Sequence, residues 1–158
     1  MSRNTIATIN LEAIQVNLKI LNEHVKHSQT IAVVKANAYG NGAVPVAQFL
    51  AEKVNIFAVA FLAEAIELRD AGITKPILIL QGPHHKDELF TSGLNNIIWL
   101  LHSEWQLAAF SAYKAITPTL PNKAWLKLDT GMHRLGLPVL QLPALLTQYA
   151  SIIDEEIG

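Results

Sequence analysis

Ile31-Ala32-Val33-Val34-Lys35-Ala36-Asn37-Ala38-Tyr39-Gly40-Asn41-Gly42 is the stretch that decides the fold. Four apolar residues, three of them β-branched, run into Lys35, and the chain then turns polar and glycine-rich. A short uninterrupted apolar run of this kind reads as a strand buried on both faces. Gly40 and Gly42 mark a loop, and the apolar periodic segment 43–51 reads as a helix. Lys35 therefore stands at the C-terminal end of a buried strand, in a strand-loop-helix unit. That is the edge at which parallel α/β folds bind their ligands.

The same unit recurs along the chain. Upstream, residues 5–9 alternate weakly and read as a short strand. Asn10 reads as the N-cap of a helix whose apolar stripe is Leu11, Ile14, Leu18, Leu21 and Val25. Downstream, 56–61 is a second strand and 62–71 an amphipathic helix with Glu64, Glu67, Arg69 and Asp70 on its wet side. Gly72 stops that helix, and Pro76 precedes a third strand, 77–80. A turn through Gln81 to His85 leads to a short helix ending near Leu89. Strand 97–101 follows, then a helix from 104 to about 113 capped by Ser103, with Trp99 and Trp105 as packing residues. A proline-bearing loop, 117–122, precedes a fifth strand, 124–129. A glycine-bearing loop, 130–136, and a helix from about 139 to 149 complete the series, and a sixth strand is expected to start at 157–158. Strands alternating with helices predict a parallel sheet. No G-x-G-x-x-G or Walker-type glycine loop is present, which removes the dinucleotide and P-loop classes.

Composition narrows the function further. The 158 residues are 51% hydrophobic with a formal net charge of −1. No basic face stands out, so a nucleic-acid partner is not expected. Cysteine is absent, which excludes disulfides and thiolate metal sites. His24 with His27, and His84 with His85, supply no third ligand, so no metal site is expected. No apolar stretch is long enough to cross a bilayer, and no signal segment is evident at the N-terminus. The chain reads as cytoplasmic.

Two readings of Lys35 remain open on physical grounds alone. It is either a strand-end lysine whose stem lies on apolar surface and whose head meets water, or a Schiff-base lysine attacking a carbonyl as the neutral amine, a form favoured by desolvation. In the second case the Tyr39 hydroxyl could hold an anionic part of a cofactor. Pleat alternation in the fifth strand puts Trp125, Lys127 and Asp129 on one face. An inward Lys127 would have to be paired, neutralised or modified, because an isolated buried ammonium is costly.

Resemblance adds what spacing cannot. Val33 to Gly42 resembles the pyridoxal-phosphate lysine motif of alanine racemases, with Asn41 where that family usually has histidine. Lys127-Leu128-Asp129-Thr130-Gly131-Met132-His133-Arg134-Leu135-Gly136 is similar to a second signature of the family, in the same order. The resemblance implies a partial (β/α)8 TIM-type barrel. Residues 1–158 would form the N-terminal portion of the barrel domain: a leading helix and about five βα units, with the C-terminal β domain absent. A closed barrel takes ~250 residues.

The resemblance also implies the chemistry. Pyridoxal 5'-phosphate (PLP) would be the cofactor and alanine the substrate, with L- and D-alanine interconverted to supply D-alanine for peptidoglycan. Lys35 would be catalytic and cofactor-binding, Tyr39 cofactor-binding, and Arg134 a contact of both the cofactor and the substrate carboxylate. Lys127 would be carbamylated and paired with Arg134. The family is homodimeric and takes a second acid/base tyrosine from the C-terminal domain of the other subunit, so this chain alone is expected to be inactive. An open sheet edge and an exposed apolar inner face would favour self-association. The alternatives are a related amino-acid racemase and a non-catalytic PLP-binding barrel protein.

Overall fold

The computed structural model describes residues 5–25, 28–91, 95–119 and 122–152. His27, Pro121 and the expected strand at 157–158 lie outside them. Helix α1 is Leu11–His24, and Asn10 caps it as expected, its Oδ1 accepting from the Ala13 N–H at 2.9 Å. Strand β1 (Ile31–Val33) is followed by a short helical turn, α2 (Lys35–Tyr39), and by α3 (Ala43–Leu50). Then come β2 (Ile56–Val59), α4 (Leu62–Asp70), β3 (Ile77–Ile79), a 3-10 turn (Lys86–Phe90), β4 (Ile97–Leu101) and α5 (Glu104–Ile116). The series ends with β5 (Lys123–Leu126), β6 (Leu128–Asp129), β7 (Leu137–Pro138), a 3-10 turn (Val139–Gln141) and α6 (Leu142–Gln148).

Strands β1 to β5 form one parallel sheet in sequential order. Side chains separate by period two onto its faces. Phe57, Val59, Ile77, Ile79, Ile97, Trp99, Leu101 and Leu126 join the main core, to which α1, α3, α4, α5 and α6 contribute Leu18, Val46, Leu68, Phe110 and Leu145. Ile56, Ala58, Leu78 and Ile98 form a second cluster with Ile31, Leu80, Leu100 and Trp125, and no helix residue joins it. Helices therefore cover one face only. A doubly wound sheet carries helices on both faces and reverses its strand order. Sequential order with helices on one face is the wall of a (β/α) barrel.

Five expectations need correction. Residues 5–9 form no strand. The α1 stripe is buried at Leu18, but Leu21 and Val25 are 60% and 43% exposed, and β1 has no strand partner beyond it among the described residues. The inner face is not broadly open: Ile56, Ala58, Leu78 and Ile98 pack on one another across paired strands and are nearly inaccessible. Finally, the fifth strand breaks at Lys127. Its N–H donates to Leu101 O on β4 (2.8 Å), while its carbonyl accepts from Leu137 N on β7 (2.8 Å), so the strand changes partners there. Trp105, read as a packing residue, lies exposed on α5.

Candidate active site

Lys35, Lys127 and Arg134 line one cavity of about 520 Å³ at the C-terminal ends of the strands. Ala60, Leu80, Gln81, Leu128, Asp129, Thr130, Met132 and Leu135 complete its wall. The volume lies within the ~300–1,000 Å³ usual for small-ligand sites. Each cation reaches the cavity for a separate reason. Lys35 follows β1 directly, with Val34 N still bonded to Ala58 O (2.8 Å). Lys127 sits at the partner switch between β5 and β6. Arg134 belongs to the loop that β6 and β7 pinch together at Leu128–Leu137 and Asp129–Pro138.

Gly136 permits that pinch. Its φ is +134°, and a Cβ there would lie 2.5 Å from Asp129 N. Asp129 orders the loop itself: Oδ1 accepts from Gly131 N and His133 N (both 3.0 Å), and Oδ2 accepts from His133 Nδ1 (2.8 Å). The His133 and Gly131 backbone donors, with the His133 ring, hold the Asp129 carboxyl at about 2, below its usual 3.8. Its charge is thereby spent on the loop. Lys35, Lys127 and Arg134 outnumber that one carboxylate in the cavity, and basic side chains gathered this way favour an anionic ligand.

The turn after Lys35 is left-handed. Ala36, Asn37, Ala38 and Tyr39 have φ of +50°, +55°, +51° and +54°. Non-glycine residues pay roughly 1–2 kcal/mol each in this region. Such a run persists only where its surroundings over-determine it. Here Asn37 Oδ1 accepts from Ala43 N (2.8 Å), Asn41 Nδ2 donates to Ala38 O (2.8 Å), and Gly40 N and Gly42 N both donate to Asn37 O. Tyr39 is not among the cavity-lining residues. It is 64% exposed and lines the adjoining groove between α1 and β1.

Sequence reasoning missed three groups. Glu64, assigned to the wet side of α4, instead points inward: Oε1 accepts from Ala36 N (2.7 Å), and Oε2 accepts from Ala60 N (2.7 Å) and Phe61 N (3.1 Å). The available signal was its place at the third position of α4, from which a glutamate reaches back to the N-cap N–H. Arg69, assigned to the same wet side, donates to the carbonyls of Ile73, Lys75, Asn95 and Asn96. Gln81, read as part of a turn, lines the cavity. Buried Gln106 braces it by donating to Gln81 O (2.9 Å) and Pro83 O (3.0 Å). Among the described residues no cluster of metal-binding side chains occurs.

Residues 9–154 match the family model described as "Alanine racemase, N-terminal domain". The alanine racemase of Chromohalobacter salexigens is 47% identical over 136 residues, which cover 86% of this chain and 36% of that protein. Among solved structures, the biosynthetic alanine racemase of Pseudomonas aeruginosa superposes with a TM-score of 0.81 at 35% identity, over 97% of this chain and 41% of that one. Alanine racemase from Bartonella henselae, with covalently bound pyridoxal phosphate, gives 0.82 at 35% identity, over 96% and 42%. The chain thus spans about two fifths of the length of the relatives it matches.

Proposed function

The chain belongs to the alanine racemase N-terminal domain family, and from that premise we propose that it carries the lysine side of a PLP-dependent site interconverting L- and D-alanine. The observation that carries this reading is the convergence of Lys35 and Arg134, with Lys127, on one cavity. The residues present fit the group. Lys35 stands at the end of β1, where an aldehyde would be anchored, and the planar fork of Arg134 across the same cavity suits a carboxylate. When bound, PLP supplies an electron sink for charge left on a substrate carbon after proton loss.

The chain's own residues divide the rest of the work. Lys35 Nζ is the covalent anchor and, once displaced by substrate, the group that moves a proton on the D-alanine face. Arg134 would hold the substrate carboxylate through its planar fork and help to hold the cofactor in the same cavity. Lys127, carbamylated, is the anion that orients Arg134. Tyr39 would contact the cofactor phosphate, a role that rests on the resemblance alone, since its side chain lines the groove beside the cavity. Inversion needs a second acid/base on the opposite face, for which the resemblance points to a tyrosine of the other subunit in a homodimer. Cytoplasmic supply of D-alanine to peptidoglycan accompanies this reading, and no helix among the described residues is long and apolar enough to cross a membrane.

Alanine racemisation by the protein that carries this chain tests the proposal. Lys35→Ala is expected to lower the rate by about 10³-fold or more, the order expected when an acid/base group is removed. Undiminished turnover in that variant would refute it.

A further inference from the structure

We infer that Glu64 is a positioning residue for Lys35. The inference rests on the reading of Lys35 as the lysine that anchors an aldehyde. The Glu64 carboxylate joins the backbone leaving β1 to the backbone leaving β2. Oε1 accepts from Ala36 N, the residue after Lys35, and Oε2 accepts from Ala60 N and Phe61 N. Ala60 lines the same cavity as Lys35. One half-buried side chain thus holds two adjacent stretches of the cavity rim at a fixed spacing.

Geometry makes Ala36 N–H the sensitive point. Lys35 is the last residue before four consecutive non-glycine residues with positive φ. The other bonds holding that turn leave the Ala36 N–H untouched: they act on residues 37 to 43, tie Gly40 N to Ala36 O (3.1 Å) or tie Ala38 N back to Val34 O (2.8 Å). Only Glu64 holds the peptide N–H that directly follows Lys35. Bonds to an ionised acceptor are the stronger class, and this one opposes the relaxation that left-handed strain favours. Releasing it frees the Lys35–Ala36 peptide to rotate and carries the Lys35 stem with it. Glutamine has the same shape, but one of its two ends is an N–H donor, so Glu64→Gln cannot accept at both rim segments.

The experiment uses the 158-residue chain and two readouts. The first is amide hydrogen exchange by NMR. In the wild type, Ala36 N–H is expected to be protected although it belongs to no ladder, and an unprotected Ala36 in the wild type overturns the inference without any variant. In Glu64→Gln its exchange is expected to quicken about tenfold or more, while Glu67→Gln, on the exposed side of the same helix, leaves it unchanged. The second readout is the rate of borohydride-trapped PLP labelling at Lys35, expected to fall about tenfold in Glu64→Gln and not in Glu67→Gln. Faster Ala36 exchange with unchanged Lys35 labelling overturns the positioning role, since Glu64 would then be purely structural. Absence of Lys35 labelling in the wild type overturns the reading of Lys35 and the inference with it. A protected Ala36 amide in that case shows that the clamp itself is intact, which separates the two failures.

Discussion

Lys35 follows β1 at one edge of the five-stranded sheet, Arg134 lies in the loop between β6 and β7 of the two-stranded sheet, and both line the same cavity. A carboxylate held by Arg134 is therefore presented to Lys35 from the far wall. Arg134→Lys keeps the charge and loses the planar fork. In the protein that carries this chain, KM for alanine is expected to rise about tenfold or more, the worth of one charge-assisted bond. An unchanged KM would show that Arg134 does not read the carboxylate.

Arg69 fastens two loops at the opposite end of the sheet. Its guanidinium donates at 2.7 Å to Ile73 O and 2.9 Å to Lys75 O, and reaches Asn95 and Asn96 across the next connection. Burial pushes its pKa down. Lysine offers no fork, so Arg69→Lys is expected to destabilise the chain by about 2 kcal/mol. Urea unfolding measures this as a lower midpoint at constant slope.

Gly82 sits at φ +63°, where a Cβ would lie 2.6 Å from Leu100 O and 2.8 Å from Gln106 Nε2. Gly82→Ala combines left-handed strain with the displacement of Gln106 from Gln81 O. The expected cost is about 3 kcal/mol, seen as a lower thermal midpoint. A neutral outcome would show that Gln106 yields freely.

Asp129 sets an acid limit on loop order. Its carboxyl lies at about 2 in the folded chain against 3.8 ordinarily. A folded value below the unfolded one gives stability that is fully present above the unfolded value and lost as pH falls through the folded one. Between about pH 4 and 2, wild-type stability is expected to fall more steeply than that of Asp129→Asn. Denaturant midpoints across that range provide the check, and parallel curves would remove Asp129 from the account.

The strand-end placement of Lys35 was legible because both neighbours declare themselves: a β-branched run before it and a glycine-bearing loop after it. The parallel order of strands was legible for the same reason, repeated down the chain. Glu64 and Arg69 were not, because sorting α4 by polarity sends every charge to water, whereas loops nearby present backbone donors and acceptors that a charged side chain can meet. The break at Lys127 was hidden because residues 123–129 hold no glycine or proline to mark it, and only the return of Leu137 reveals the change of partner. Leu21 and Val25 carry helical periodicity, yet periodicity alone cannot say how far the rest of the fold covers them.

The most direct measurement is to incubate the chain with PLP, reduce with borohydride and map the labelled peptide. The account predicts label concentrated on Lys35 and lost in Lys35→Ala. Label spread evenly over the lysines, and unchanged by that substitution, would contradict the assignment of Lys35 as the anchor of the site.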